Sequence, residues 1–256
     1  MFVLGKDYND ISDESKKMQG VMDGAPAYQV EPYLYVVPEK GNNEDYENKE
    51  SGRMIWETGD KTIEDYYALP DERRVELIDG VFYDMAAPSY VHQIIVLETW
   101  KYLNDFVEKN GGSCMPFAAP ADVKLFCDSD KTMVQPDVFV VCDREQITLR
   151  QLLGAPDLVM EVVSPDSRRR DADLKLRKYR ESGVREYWII FPKEKKVLVY
   201  LFEKADGMDG MDGADGMGDI APIEYTFADR VPVGIWDGKC KVDFAEIYER
   251  CRFLYE

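Results

Sequence analysis

From Thr62 onward the apolar residues keep one of two spacings, alternation by two or recurrence every three to four residues. "TIEDYYALP" starts at a capping Thr62, carries Glu64 and Asp65 in its first turn and stops at Pro70, which predicts a short helix. "RVELIDGVFYDM" (74–85) predicts two strands around Asp79-Gly80, a dipeptide that tolerates the positive φ of a tight hairpin. Ser89 can cap a helix to about Lys109, with Ile94, Ile95, Leu97, Leu103, Phe106 and Val107 on its apolar side, and Asn110-Gly111-Gly112 to stop it. Strands are predicted at 120–127, 136–142 and 157–163, with a short helix at 145–153 between the last two. A helix follows over about 168–182, then a hairpin of "EYWIIF" and "KVLVYLF" across "PKEK". Strands near 222–227 and 239–243 and a helix over 244–254 close the chain. Hairpins combined with one strand–helix–strand unit predict an α/β or α+β domain with a mixed sheet.

Two segments lack this patterning. Residues 1–60 are polar, acidic and weakly periodic, with "QVEPYLYVVP" as the one strand-like piece, and are read as an N-terminal extension to a domain spanning 61–256. "DGMDGMDGADGMGD" (206–219) repeats Asp-Gly-x every three residues. Calcium loops of the EF-hand type need ligands at alternate positions and a closing Glu, so a flexible loop over 205–220 fits better than a calcium module.

The chain of 256 residues carries a net charge of −18, which disfavours non-specific attraction to nucleic acid. The charge is uneven, however: "SRRRDADLKLRKYR" (167–180) sets seven Lys/Arg against two Asp. No apolar run is long enough to span a membrane, and no secretory leader is read at the N-terminus. Five cysteines at 114, 127, 142, 240 and 251 fit no zinc spacing, and they are read as reduced thiols of a cytoplasmic protein.

Two acids interrupt apolar strands. Asp137 opens "QPDVFVV" after Pro136, and Glu161 lies inside "LVMEVV". Alternation sets Glu161 on one face with Val159 and Val163, opposite Leu158, Met160 and Val162, which read as the core face. A buried carboxylate is costly unless it finds a partner. Asp171, Lys175 and Tyr179 share one face of the next helix, and strand and helix rise bring the Lys175 amine back level with Glu161. A buried ion pair that merely fixes the helix is the competing explanation of the pair. Two carboxylates beside a lysine also suit Mg²⁺ chemistry, in which hard oxygens hold the ion and water attacks a phosphodiester in line. Asp122, in "APADVKLF", reads as a sheet-face acid or loop cap.

The segments "VELIDGVFYDM", "SYVHQ", "VQPDVFVV" and "APDLVMEVVSPDSRRRDADLKLRKYRESGVREYWII" together resemble the Uma-two family of restriction endonucleases, within the PD-(D/E)XK nuclease superfamily. The likeness covers about residues 62–250 and is tightest over 135–192. It implies a restriction-endonuclease-like fold, DNA as substrate, and Mg²⁺ or Mn²⁺ as cofactor. It implies Asp137 and Glu161 as metal ligands, Glu76 as an early acid completing the metal site, and Lys175 as the lysine that assists the attacking water. His92, Asp171 and Tyr179 match further recurring positions. The superfamily places its lysine two residues after the second acid, where this chain has Val163, so Lys175 must act from the next helix. Arg168, Arg169 and Arg170 could meet backbone phosphate, or simply be a solvated first turn. A homodimer is an analogy at the level of fold, since many such nucleases act on two strands. A binding or assembly module that kept the fold without turnover is the competing reading.

Overall fold

Three sheets and four α-helices lie among the residues that the computed structural model describes, 59–70, 72–163, 169–202 and 221–255. For 169–173 this covers the backbone alone. "QVEPYLYVVP" and the Asp-Gly-x tract fall outside these residues.

Local signals set most elements. Thr62 and Asp65 form a reciprocal capping box that starts α1 (Ile63–Tyr67). Strands β1 (Val75–Ile78) and β2 (Val81–Asp84) pair antiparallel, with Ile78 opposite Val81. The turn between them needs positive φ at both central positions, and Asp79 (52°) and Gly80 (78°) provide it. Ser89 accepts from the His92 amide to start α2 (Tyr90–Asn110). Strands β3 (Met115–Ala118), β4 (Val123–Lys124), β5 (Met133–Val134) and β6 (Val138–Val141) follow. Then come β7 (Leu152–Leu153), β8 (Leu158–Val162), α3 (Arg169–Ser182), β9 (Glu186–Phe191) and β10 (Lys196–Leu201). Strands β11 (Ile223–Thr226), β12 (Arg230–Pro232) and β13 (Lys241–Asp243) precede α4 (Phe244–Cys251).

The large sheet has the order β11-β10-β9-β8-β6-β3, and the second sheet β2-β1-β5-β4-β7. Only β8 and β9 run parallel within the large sheet, because α3 carries the chain between them. The fold is therefore α+β, with a mixed central sheet and helices against it.

Both faces of β8 are buried. Leu158, Met160 and Val162 pack with Ile95 and Leu103 of α2 and Phe244 and Ile247 of α4. Val159 packs on the other side with Tyr179, Leu174, Tyr187 and Val134. The predicted single core face is thus one of two, since α3 and the second sheet cover the face that carries Glu161. Each fully buried large apolar side chain contributes about 1.5–3 kcal/mol by leaving water.

Three other expectations change. Residues 145–153 form a 3₁₀ turn (Arg144–Gln146) and then β7, because Leu152 and Leu153 pair in parallel with Val123 and Lys124. Strands β3, β5 and β12, absent from the sequence reading, are short and gain their hydrogen bonds from β6, β1 and β13 respectively. The thiols are not all reduced: Cys114 and Cys142 form a disulfide, while Cys127, Cys240 and Cys251 are free. Antiparallel pairing of β3 with β6 sets Met115 opposite Val141 and so brings the flanking cysteines together, which their spacing of 28 residues does not reveal. No described helix is long and apolar enough to cross a membrane.

Candidate active site

The site is assembled from five places in the chain. Val138 pairs with Met160 across the β6–β8 ladder, so the next rung sets Asp137 beside Glu161, with both side chains on the α3 face. Asp137 Oδ2 accepts hydrogen bonds from the Val162 amide (2.8 Å) and from His92 Nε2 (3.1 Å). His92 reaches it from the first turn of α2, and its Nδ1 is buried without a partner among the described residues.

Helix periodicity delivers the next two groups. Lys175 and Tyr179 stand one turn apart on α3, and both donate to Glu161 Oε1, at 3.0 Å and 2.7 Å. Lys175 Nζ also meets Glu76 Oε2 at 2.8 Å. Glu76, on β1, accepts a second hydrogen bond at Oε1 from the Gln135 amide (2.9 Å). Glu76 and Glu161 are only 5% and 6% exposed, so their charges must be met inside the protein.

The electrostatics follow. Burial pushes the Glu161 carboxyl up, Lys175 pulls it down, and Asp137 and Glu76 push it up again, leaving it raised to about 7. Burial disfavours the Lys175 ammonium, but Glu161 and Glu76 outweigh it and hold the amine protonated. Burial, then Glu161, raises the Tyr179 phenol, which therefore acts as a donor. Three carboxylates face one lysine, so the cluster has an excess of negative charge.

The structure brings Glu76, His92, Asp137, Glu161, Lys175 and Tyr179 together. Arg168 lies outside the described residues, and Arg169, Arg170 and Asp171 are described only as backbone in the first turn of α3. The basic surface expected of this helix is partly neutralised. Lys178 and Arg177 pair with Asp79 of the β1–β2 turn at 2.7 Å and 3.4 Å, and Lys178 also pairs with Glu181 at 3.1 Å. These contacts pin the helix bearing Lys175 to the hairpin bearing Glu76.

Gln135 and Tyr66 escaped the sequence reading. Gln135 Nε2 donates to Asp122 Oδ1 (2.9 Å) and to the Tyr66 hydroxyl (3.0 Å), and that hydroxyl donates to the same Asp122 oxygen (2.9 Å). Gln135 stands next to Pro136-Asp137, which was the available signal.

No three His, Cys, Asp or Glu side chains among the described residues already form a metal cage. The reason is visible: the Lys175 ammonium lies between Glu76 and Glu161. The donor set nevertheless suits a hard divalent cation. Asp137 Oδ1 and Glu161 Oε2 accept no hydrogen bond from the described residues, and both belong to carboxylates held firmly through their other oxygen.

The fold is shared with a solved structure. Over 74% of this chain and 98% of the other, the structure is similar to the crystal structure of a putative nuclease belonging to DUF820 from Anabaena variabilis, with a TM-score of 0.57 and 19% identity. The model of the Uma2 family, putative restriction endonucleases, matches residues 63–209, and the chain belongs to that family. It is also 26% identical over 170 residues to the uncharacterized protein slr1290 of Synechocystis sp., covering 66% of this chain and 82% of that protein.

Proposed function

We propose that this protein is an endonuclease that hydrolyses phosphodiester bonds of DNA with Mg²⁺ or Mn²⁺ held by Asp137 and Glu161. One observation carries the reading: Asp137 and Glu161 are adjacent across a ladder, each keeps one carboxylate oxygen open, and Lys175 stands against them. Asp137 and Glu161 would hold the cation, which when bound would supply polarisation of a phosphoryl oxygen and a lowered pKa for a coordinated water. The protein's own groups do the rest. The Val162 amide and His92 orient Asp137, so that its open oxygen stays in one direction. Tyr179 does the same for Glu161. Lys175 remains an ammonium, so it can donate to the attacking water or to a phosphate oxygen, and it offsets charge that develops there. Membership of the Uma2 family supports the substrate class.

The test is cleavage of plasmid and oligonucleotide DNA with added Mg²⁺ or Mn²⁺. The parent protein should cut, and Asp137→Ala and Glu161→Ala should not, while their circular dichroism stays native. A Glu161→Ala protein that cuts like the parent refutes the assignment. The net charge of −18 favours the competing reading, a nuclease fold used as a binding module. That reading predicts no Mn²⁺ binding by calorimetry, or binding that Asp137→Ala leaves intact.

A further inference from the structure

Glu76 differs from the other two acids in how its oxygens are used. Oε1 accepts from the Gln135 amide at 2.9 Å, and Oε2 faces Lys175 Nζ at 2.8 Å. Asp137 and Glu161 each keep an oxygen clear of hydrogen bonds from the described residues, whereas Glu76 keeps neither. Its engagement with Lys175 is also its shortest contact, and it is slightly shorter than that from Lys175 to Glu161 at 3.0 Å.

The Gln135 amide that holds Glu76 is itself fixed. Pro136 restricts the residue before it to extended backbone. The Gln135 side chain is then tied at Nε2 by Asp122 and by Tyr66, whose hydroxyl also donates to Asp122. These three side chains close a triangle contributed by α1, the segment before β4 and the segment after β5. Exchanging the amide's N and O would point Gln135 Oε1 at a carboxylate, so the donor assignment is the one the chemistry allows. Burial, then the charge of Asp122, raises the Tyr66 phenol, which stays a donor. Tying three half-buried side chains together, with one oxygen receiving two hydrogen bonds, is costly to build for packing alone.

We infer that Glu76 is a positioning residue that holds Lys175 in place rather than a ligand of the cation, and that Gln135, Asp122 and Tyr66 set its orientation. The inference rests on the proposed metal-dependent cleavage and divides its labour: Asp137 and Glu161 hold the ion, while Glu76 and the triangle behind it aim the lysine. Glu76 lies on β1 of the second sheet and Glu161 on β8 of the large sheet, so Lys175 bridges the two sheets at the site. A tether from the far sheet keeps the amine from collapsing wholly onto Glu161, whose other oxygen the cation needs.

The experiment pairs two readouts on the full chain, Mn²⁺ affinity by calorimetry and the kcat and KM of DNA cleavage. Glu76→Gln should bind Mn²⁺ within about threefold of the parent yet lose about a hundredfold in kcat with KM little changed, as expected when a group acts on the chemical step. Tyr66→Phe and Gln135→Ala should bind Mn²⁺ normally and lose about tenfold in kcat, on the scale of second-layer supports. Neither should lower kcat further when combined with Glu76→Gln, a coupling that a purely structural role would not produce. A Glu76→Gln protein that loses Mn²⁺ as completely as Asp137→Ala makes Glu76 a ligand and overturns the inference while leaving the proposed function standing. Additive losses in the double variants overturn the part played by Gln135 and Tyr66. A parent protein that neither binds Mn²⁺ nor cleaves overturns both. If the parent binds Mn²⁺ without cleaving, the affinity of Glu76→Gln set against that of Asp137→Ala still decides whether Glu76 is a ligand.

Discussion

Two buried glutamates sit on neighbouring parallel strands, Glu161 on β8 and Glu186 on β9, and their surroundings differ in kind. Glu186 is 1% exposed and accepts from Trp188 Nε1 (2.7 Å) and the Gly234 amide (2.9 Å) at one oxygen, and from the Ile235 amide (2.8 Å) at the other. Its close partners are neutral donors that engage both oxygens, and they lock the 3₁₀ turn Gly234–Trp236 onto the sheet. Glu161 takes Lys175 and Tyr179 on one oxygen and leaves the other open, with Asp137 and Glu76 close by. Burial alone therefore does not mark a functional carboxylate. What sets Glu161 apart is an open oxygen, a charged partner and other acids at hand.

That contrast can be broken in several ways. The largest effect belongs to the open site. Glu161→Ala or Asp137→Ala should reduce metal-dependent cleavage by about a thousandfold, the upper range for losing a preorganised electrostatic group. Glu186→Ala should leave Mn²⁺ binding near the parent's value. Its damage should appear instead in stability, because the buried Trp188 donor and two part-buried amides lose their acceptor: about 3 kcal/mol, read by urea denaturation. If Glu186→Ala abolished Mn²⁺ binding in a folded protein, the division between the two glutamates would fail.

A smaller effect separates them by pH. Burial raises the Glu186 carboxyl above its ordinary 4.5, the hydrogen bonds from Gly234, Trp188 and Ile235 only partly opposing it. The folded state thus holds this proton more tightly than the unfolded chain. Its stabilising contribution is complete below the unfolded value and is lost as pH rises through the folded value. Glu186→Gln should flatten that part of the stability profile, measured by urea melts at a series of pH values. Glu161 has the same sign over a window from 4.5 to about 7. Mn²⁺ competes with its proton, so affinity should climb over that window and level off above it. A pH-independent affinity would argue against Glu161 as ligand.

The smallest effect probes the clamp between α3 and the hairpin. Lys178 is 8% exposed and pairs with Asp79, which Arg177 also reaches. Lys178→Met should cost about 1–2 kcal/mol of stability, since Arg177 still answers Asp79. It should leave Mn²⁺ affinity alone, because no metal-site carboxylate touches Lys178 among the described contacts.

The sequence by itself determined what depends on near neighbours. Asp79-Gly80 specifies its turn through backbone sterics, Thr62 and Ser89 specify helix starts through amides within one turn, and alternation in "LVMEVV" sets the face of Glu161. Even the meeting of Lys175 with Glu161 was legible, because one strand, one turn and one helix have fixed rises. Only the tertiary structure decided the rest. Gln135, Asp122 and Tyr66 come from segments up to 69 residues apart, and no local spacing relates them. Cys114 meets Cys142 only because β3 pairs with β6. Glu186 reads as the polar start of a strand until residues 234 and 235 fold back onto it. Local rules act through bond geometry over a few residues, whereas these contacts depend on which strands pair and which faces are covered.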